Sequence, residues 1–372
     1  MPLLESSHLE EIRAALADRI RDGLKADGRE IKALDAQLAP PRVRDGRALV
    51  VDIGGTNMRA AVVSIVAGRP TVERGPYNQR LDLREGGTTP AQFFADQAKL
   101  AKSLDPGPGL PVGYCFSYPS EVLPSLDARL IRWTKGIDVP GVEGTLVGSG
   151  LADALRDEGL EPACVHVLND TVASMLGGAL VHDGAPEDVI GLIAGTGSNM
   201  AAFFDGRAHE KLARHDDFVA INLESGNFDC PHLTDADAIV DRESNNPGAQ
   251  RFEKAISGFY MPFIYKAMTG DASFDPLEGS AQLVKKREEG DEVAAALLER
   301  AALLIATGLA AVADARGGER PVAVIAEGSL FWRTPGFHQA VYGELDRQID
   351  RAASIRSLEH ANLIGSACAA LA

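Results

Sequence analysis

The chain has 372 residues, 45% of them apolar and 24% charged. That length suggests two domains with a sizeable core, and its 38 Gly and 20 Pro are ordinary usage, which excludes collagen, low-complexity disorder and disulfide miniproteins. A net charge of −16 repels phosphate backbones and anionic lipid, so the expected partner is a small molecule, with no nucleic acid and no membrane. Four cysteines, Cys115, Cys164, Cys230 and Cys368, lack metal-ligand spacing and read as reduced thiols of a cytoplasmic protein. The N-terminus has acids where a signal peptide needs bases, and no run reaches the ~20 apolar residues of a membrane span. Neither export nor anchoring is expected.

In chain order, Leu9, Ile12, Leu16, Ile20 and Leu24 recur at steps of three and four and predict an amphipathic first helix, a piece of scaffold. Residues 39–46 break that period and lead into the apolar run Ala48-Leu49-Val50-Val51, so a domain boundary is expected near residue 45. Residues 50–63 read as two strands joined by a Gly-Gly turn. Gly54 and Gly55 let the backbone approach a ligand, Thr56 and Asn57 add polar reach, and Asp52 at the strand end can hold a hydrated divalent cation. An ordinary Gly-rich hairpin would explain Gly54-Gly55 but gives Asp52 no reason to sit in an apolar strand. The same grammar returns at residues 189–204 around Gly195-Thr196-Gly197, which implies two similar lobes, each offering a turn to one polyphosphate. A third strand, Val322-Ala323-Val324-Ile325-Ala326-Glu327, ends in Gly328-Ser329, where small residues leave space for a flat adenine ring.

Between and after the hairpins come Phe116-Ser117-Tyr118-Pro119, Trp133-Thr134-Lys135-Gly136, Asn169-Asp170-Thr171-Val172-Ala173, Asn222-Leu223-Glu224-Ser225-Gly226 and a segment containing Phe252-Glu253-Lys254. In this order, with Gly195-Thr196-Gly197-Ser198-Asn199, they resemble the hexokinase family of the actin-like sugar kinase superfamily, from about residue 48 to about 338. The resemblance implies an α/β, two-lobed actin-like ATPase (ribonuclease H-like) fold with a cleft and a hinge. The small lobe is expected at 45–170, with a C-terminal helix at about 359–372 returning to it, and the large lobe at 1–44 and 171–358. It implies ATP-dependent phosphorylation of a hexose, most simply glucose, at the 6-hydroxyl. Ser117, Thr134, Lys135, Asn169, Asp170, Asn199, Glu224 and Glu253 are assigned to the sugar. Asp52, Gly54, Gly55, Thr56, Asn57, Arg59, Gly195, Thr196, Gly197, Gly328 and Ser329 are assigned to ATP, and Asp52 to Mg2+ through water.

Sugar hydroxyls need paired donors and acceptors on rigid turns, and the eight sugar residues supply both. Asp170 follows a strand and precedes a helix, so its carboxylate can accept a hydroxyl proton; the competing role is a helix N-cap. Lys135 can serve the charge on the moving phosphoryl group or be a solvated surface cation. Glu253 and Lys254 would otherwise be surface charge, and His166 is expected to be a core or half-buried residue rather than a catalyst. The family often carries an aromatic after the second sugar Glu, whereas Glu224 is followed by Ser225-Gly226, which leaves room or a polar wall. Glu327 stands where an Asp is usual, and residues 360–365 replace a glycine-rich turn. The length matches a compact bacterial-type member without a tandem half, and a homo-oligomer is left open. The alternatives are a kinase of another hexose or amino sugar, a non-catalytic sugar-binding regulator, and an actin-like polymer or chaperone ATPase.

Overall fold

The computed structural model describes residues 3–42, 44–81, 83, 87–134 and 136–372. Its contacts divide the chain into two units, Leu34–Val189 with Asp217–Asn222 and Leu358–Ala372, and Met1–Ala33 with Ile190–Asp216 and Leu223–Ser357. Residues 45–170 and 359–372 lie inside the first of these, which also takes in residues 34–44, 171–189 and 217–222, expected in the large lobe; Leu34-Asp35 pair antiparallel there with Asn222-Ile221.

That first unit is built on a five-stranded sheet in the order Arg69–Arg80, Asn57–Val66, Gly46–Ile53, Val112–Phe116, Val165–Leu168. The first three strands run antiparallel and the last three parallel. Side chains alternate across a strand, so Gly46–Ile53 serves two cores. Leu49, Val51 and Ile53 meet Phe93 and Phe94 of helix Pro90–Ser103 and Leu151 and Leu155 of helix Val147–Asp157. Ala48 and Val50 meet Leu363, Ala367 and Ala370 of the terminal helix Ala361–Ala370. Both helix starts on the first face are capped. Thr89 and Gln92 form a capping box ahead of Pro90, and the buried Asp127 carboxylate accepts from Gly148 N at 2.7 Å and Ser149 N at 2.9 Å.

The terminal helix lies unusually close to its neighbours. A Cβ built on Gly113 would come within 2.0 Å of Ser366 O, one on Gly177 within 2.3 Å of Ala361 O, and one on Gly365 within 1.7 Å of Ala173 O. Only glycine fits at these three backbone contacts. They press the helix onto the sheet and onto helix Asp170–Leu180.

The second unit carries the strands Ser198–Asp205, Val189–Ala194, Val322–Glu327 and Ala353–Arg356 in that order. Its central helix, Glu292–Arg316, buries Leu297, Leu298, Leu304, Ile305, Leu309 and Val312. The expectation that no segment reaches membrane-spanning length is corrected here, since this helix is long and apolar enough by length and composition. The segment is apolar because it is covered by protein, including the predicted first helix Ser6–Gly23, whose Leu9, Ile12, Leu16 and Ile20 are all buried.

One ion pair of this unit is fully desolvated. Arg300 Nη1 and Nη2 donate to Asp237 Oδ2 and Oδ1 at 2.7 and 2.9 Å, with both side chains nearly inaccessible. Burial pushes the Asp237 carboxyl up, but the Arg300 charge and hydrogen bonds from Arg300 and Thr234 outweigh it and hold the pKa below its ordinary 3.8. A carboxyl with a depressed folded pKa stabilises the fold above its unfolded pKa, and that stability is lost as pH falls through the folded value. Asp237→Asn is therefore expected to lose about 3–5 kcal/mol at pH 7, the cost of leaving a buried partner charge unpaired. Melting curves from pH 7 down to pH 3 should show the gap to wild type closing only below pH ~4; a gap that does not depend on pH contradicts the assignment.

Candidate active site

Three parallel strands end side by side in the first unit. The register places Asp52 beside Cys115 and Cys115 beside Leu168, so their C-terminal ends deliver Asp52, Ser117 and Asn169-Asp170 to one edge of the sheet. Ligands of parallel α/β sheets gather at this edge, where helix N-termini also point.

Asp170 is the first residue of helix Asp170–Leu180, and the cap is Asn169, whose Oδ1 accepts from Thr171 N at 2.9 Å. The capping role weighed for Asp170 thus belongs to its neighbour. Asp170 is half-exposed, and its Oδ1 accepts from Thr171 N at 2.8 Å and Thr171 Oγ1 at 3.2 Å. Ser117 is buried and donates its N–H to Ile53 O at 3.1 Å. Thr134 is half-buried in the segment after the hairpin strand Ala128–Leu130. Lys135 lies outside the described residues. A small pocket beside Asn169 is lined by Phe116, Tyr118, Ser120 and Val172, with Asp35 and Asn222 among its polar walls.

Asp52 is 5% exposed. Its Oδ2 accepts from Arg59 Nε at 2.8 Å, Arg59 Nη2 at 2.5 Å and Asn362 Nδ2 at 3.0 Å. Burial pushes the Cys115 thiol far up, helped by the charges of Asp52 and Asp170 and by a hydrogen bond to Asp52. Burial likewise raises the Tyr118 hydroxyl, again with Asp170 and Asp52 contributing. The same two side chains feel both carboxylates, which places Asp52 and Asp170 in one electrostatic neighbourhood. Among the described residues no group of three or more His, Cys, Asp or Glu could cage a metal ion. A lone carboxylate suits Mg2+, which keeps several waters and is held by one or two carboxylates plus substrate phosphates.

The first turn closes through Gly54 N to Asn57 O at 3.0 Å, and Tyr118 donates its hydroxyl to Gly54 O at 2.7 Å. Thr56 and Asn57 are exposed at its tip. A Cβ on Gly54 would meet nothing closer than Asn57 O at 3.8 Å, so the fold itself does not require glycine there. Gly328 differs. Its φ is +123°, and a Cβ would lie 2.1 Å from Ala194 O. Gly195 and Gly328 touch backbone to backbone, which brings the second turn and the third strand's Gly-Ser together, with Thr196 and Ser329 exposed. Gly258 N and Phe259 N brace that turn by donating to Gly195 O at 2.8 Å and Thr196 O at 3.2 Å.

The second unit also gathers Asn199, Glu224 and Glu253. Glu253 Oε1 accepts from Ser198 N at 3.1 Å, and Asn199 Oδ1 accepts from Ser225 N at 3.2 Å. Glu224 takes a left-handed backbone, φ 54°. Gly226 packs against Glu253: a Cβ there would come 2.9 Å from Glu253 Cβ and 3.7 Å from Glu253 Oε2. Lys254 is no surface charge: it is buried and donates to Asp241 Oδ1 at 2.6 Å and Asn246 O at 2.9 Å. His166 is half-buried with Nδ1 2.6 Å from Ala369 O, as a scaffold residue would be. Sequence reasoning missed Tyr118, Cys115, Gly258 and Asn362 as parts of the site. Tyr118 stood in the motif Phe116-Ser117-Tyr118-Pro119, and Asn362 left a signal as an amide in an otherwise apolar and small-residue helix.

Models of the hexokinase family match residues 3–180 and, in a second part, residues 189–277 and 280–372. Hexokinase-1 of Saccharomyces cerevisiae is 30% identical, over 91% of this chain and 81% of its own length. A hexokinase structure from Schistosoma mansoni, complexed with glucose, has a TM-score of 0.84 at 24% identity and covers 99% of this chain and 96% of that one. A ROK family glucokinase from Streptomyces griseus, in complex with glucose and AMPPNP, gives 0.55 at 19%, over 87% and 98%. These two likenesses are of fold, and they establish the α/β architecture in two lobes.

The two glycines make opposite demands that experiment can separate. Gly54→Ala is expected to melt with the wild type while weakening nucleotide binding. Gly328→Ala, forced into a strained φ against a carbonyl, is expected to lose at least the ~1–3 kcal/mol of backbone strain. Equal melting losses in calorimetry would contradict this division.

Proposed function

This chain belongs to the hexokinase family, and on that premise we propose that the Asp170 carboxylate receives the proton of the acceptor hydroxyl. The enzyme transfers the γ-phosphoryl group of ATP to a hexose. The proposed acceptor is the 6-hydroxyl of glucose, the sugar bound in both solved neighbours named above. The observation that carries the assignment is the position of Asp170: it stands at the N-terminal end of its helix, relieved of capping by Asn169, and shares its electrostatic surroundings with Asp52 of the first turn.

In the proposed reaction the hexose is held by Ser117, Thr134, Lys135, Asn169, Asp170, Asn199, Glu224 and Glu253. The sugar hydroxyl donates to Asp170 while its oxygen faces the γ-phosphorus. The oxygen–phosphorus bond forms as the bond to the β-phosphate oxygen breaks, ADP departs, and the hydroxyl proton passes to Asp170. Because the transition state is loose, orientation of the hydroxyl counts for more than early deprotonation. The backbone and hydroxyl donors of Gly54, Gly55, Thr56 and Asn57, and of Gly195, Thr196, Gly197, Gly328 and Ser329, serve the nucleotide. Lys135 adds positive charge at the moving phosphoryl group. Bound Mg2+ neutralises phosphate charge, and Asp52, fixed by Arg59, would hold it through water. Four free cysteines fit a reducing, cytoplasmic setting.

Asp170→Ala tests the proposal in a coupled assay with Mg-ATP and a panel of hexoses. Turnover should fall by ~10²–10⁴, with glucose still binding through its other contacts. Near-normal turnover in a folded variant would overturn the role given to Asp170.

A further inference from the structure

The terminal helix Ala361–Ala370 presents two buried polar side chains, Asn362 and Ser366, at 5% and 0% exposure. Ser366 is satisfied locally, donating to Asn362 O at 2.7 Å. Asn362 instead reaches across the chain, and its Nδ2 donates to Asp52 Oδ2 at 3.0 Å. A buried amide is tolerated only where it finds a partner, and this one has found the carboxylate at the end of the first strand.

The geometry points to Asn362 as a positioning residue for Asp52. Arg59 and Asn362 approach the same oxygen, so Oδ1 is the one that neither engages. Two donor residues on Oδ2 fix the carboxylate plane, since rotation about the last side-chain torsion would break all three of their bonds at once. The two donors differ in kind. Arg59 offsets the negative charge, whereas the neutral Asn362 amide orients the group without removing the charge that attracts a cation. Asn362 itself cannot shift to adapt, because its helix is seated through the glycine contacts at Gly113, Gly177 and Gly365. The segment in which the sequence departs from a glycine-rich turn thus supplies a hydrogen bond to the Asp52 carboxylate. This inference rests on the reading of Asp52 as the carboxylate that holds water-bridged Mg2+.

The test uses Asn362→Leu, Asp52→Asn and the double variant of the full chain, with two readouts. One is the free Mg2+ needed for half-maximal turnover; the other is the Mg2+ dependence of AMPPNP binding by calorimetry, which involves no turnover. Outer ligand partners typically contribute 10–100-fold in metal affinity, so Asn362→Leu should raise the Mg2+ requirement by about that factor with the KM for hexose unchanged. The double variant should be no worse than Asp52→Asn alone. Should the leucine variant fail to fold, Asn362→Ala carries the same comparison. An unchanged Mg2+ requirement in Asn362→Leu, with a raised one in Asp52→Asn, overturns the positioning role and leaves the Asp52 reading standing. Effects that multiply in the double variant overturn it as well. No change in Asp52→Asn sinks the Asp52 reading and this inference together.

Discussion

The approach of the terminal helix to strand Val112–Phe116 and to helix Asp170–Leu180 is the contact on which the site's geometry depends. At Gly113, Gly177 and Gly365 backbone meets backbone at distances that exclude even a methyl group. One consequence is that Asp52 acquires a hydrogen-bond partner 310 residues away in sequence. Another is that the helix bearing Asp170 is held by packing rather than by its own propensity, which two consecutive glycines, Gly177 and Gly178, would weaken. Glycine here exchanges helix stability for proximity, and proximity is what aligns the ends of the parallel strands.

Two carboxylates in one partly buried region oppose each other, and the fold handles them differently. Asp52 is buried and balanced by the Arg59 guanidinium, while Asp170 remains half-exposed at a helix N-terminus. Their joint field falls on Cys115 and Tyr118, whose own ionisation burial already disfavours. Both therefore stay neutral, and Tyr118 remains a donor that ties residues 116–119 to the carbonyl of Gly54. That hydroxyl and the Ser117 N–H, which donates to Ile53 O, link residues 117–118 to the first turn.

Much of the arrangement was legible in the chain because it is written locally. Alternation of apolar residues around Gly54-Gly55 and Gly195-Thr196-Gly197 marked the two hairpins, and both are present with the turns expected. The strand–Asn-Asp–helix order placed Asp170 at an N-terminus, although the choice between Asn169 and Asp170 as cap turns on a torsion that composition does not encode. What escaped was non-local. The packing of Gly226 against Glu253, which comes from a separate helix, has no local signal. Lys254 looked like surface charge because Asp241 and the Asn246 carbonyl, which bury it, lie earlier in the chain with no periodic link. Asn362 was read as part of an altered turn, since nothing next to it in sequence reveals the carboxylate it meets.

The seating of the terminal helix is tested most directly by Gly365→Ala, with Gly343→Ala as control. A Cβ at residue 365 meets the Ala173 carbonyl at 1.7 Å, whereas one at residue 343 meets no atom within 4 Å. Calorimetry and turnover per folded molecule should show Gly365→Ala melting lower and phosphorylating hexose more slowly. The control should be unchanged or stabilised by about 0.4–1 kcal/mol. Wild-type melting and wild-type turnover in Gly365→Ala would contradict the claim that this backbone contact positions the site.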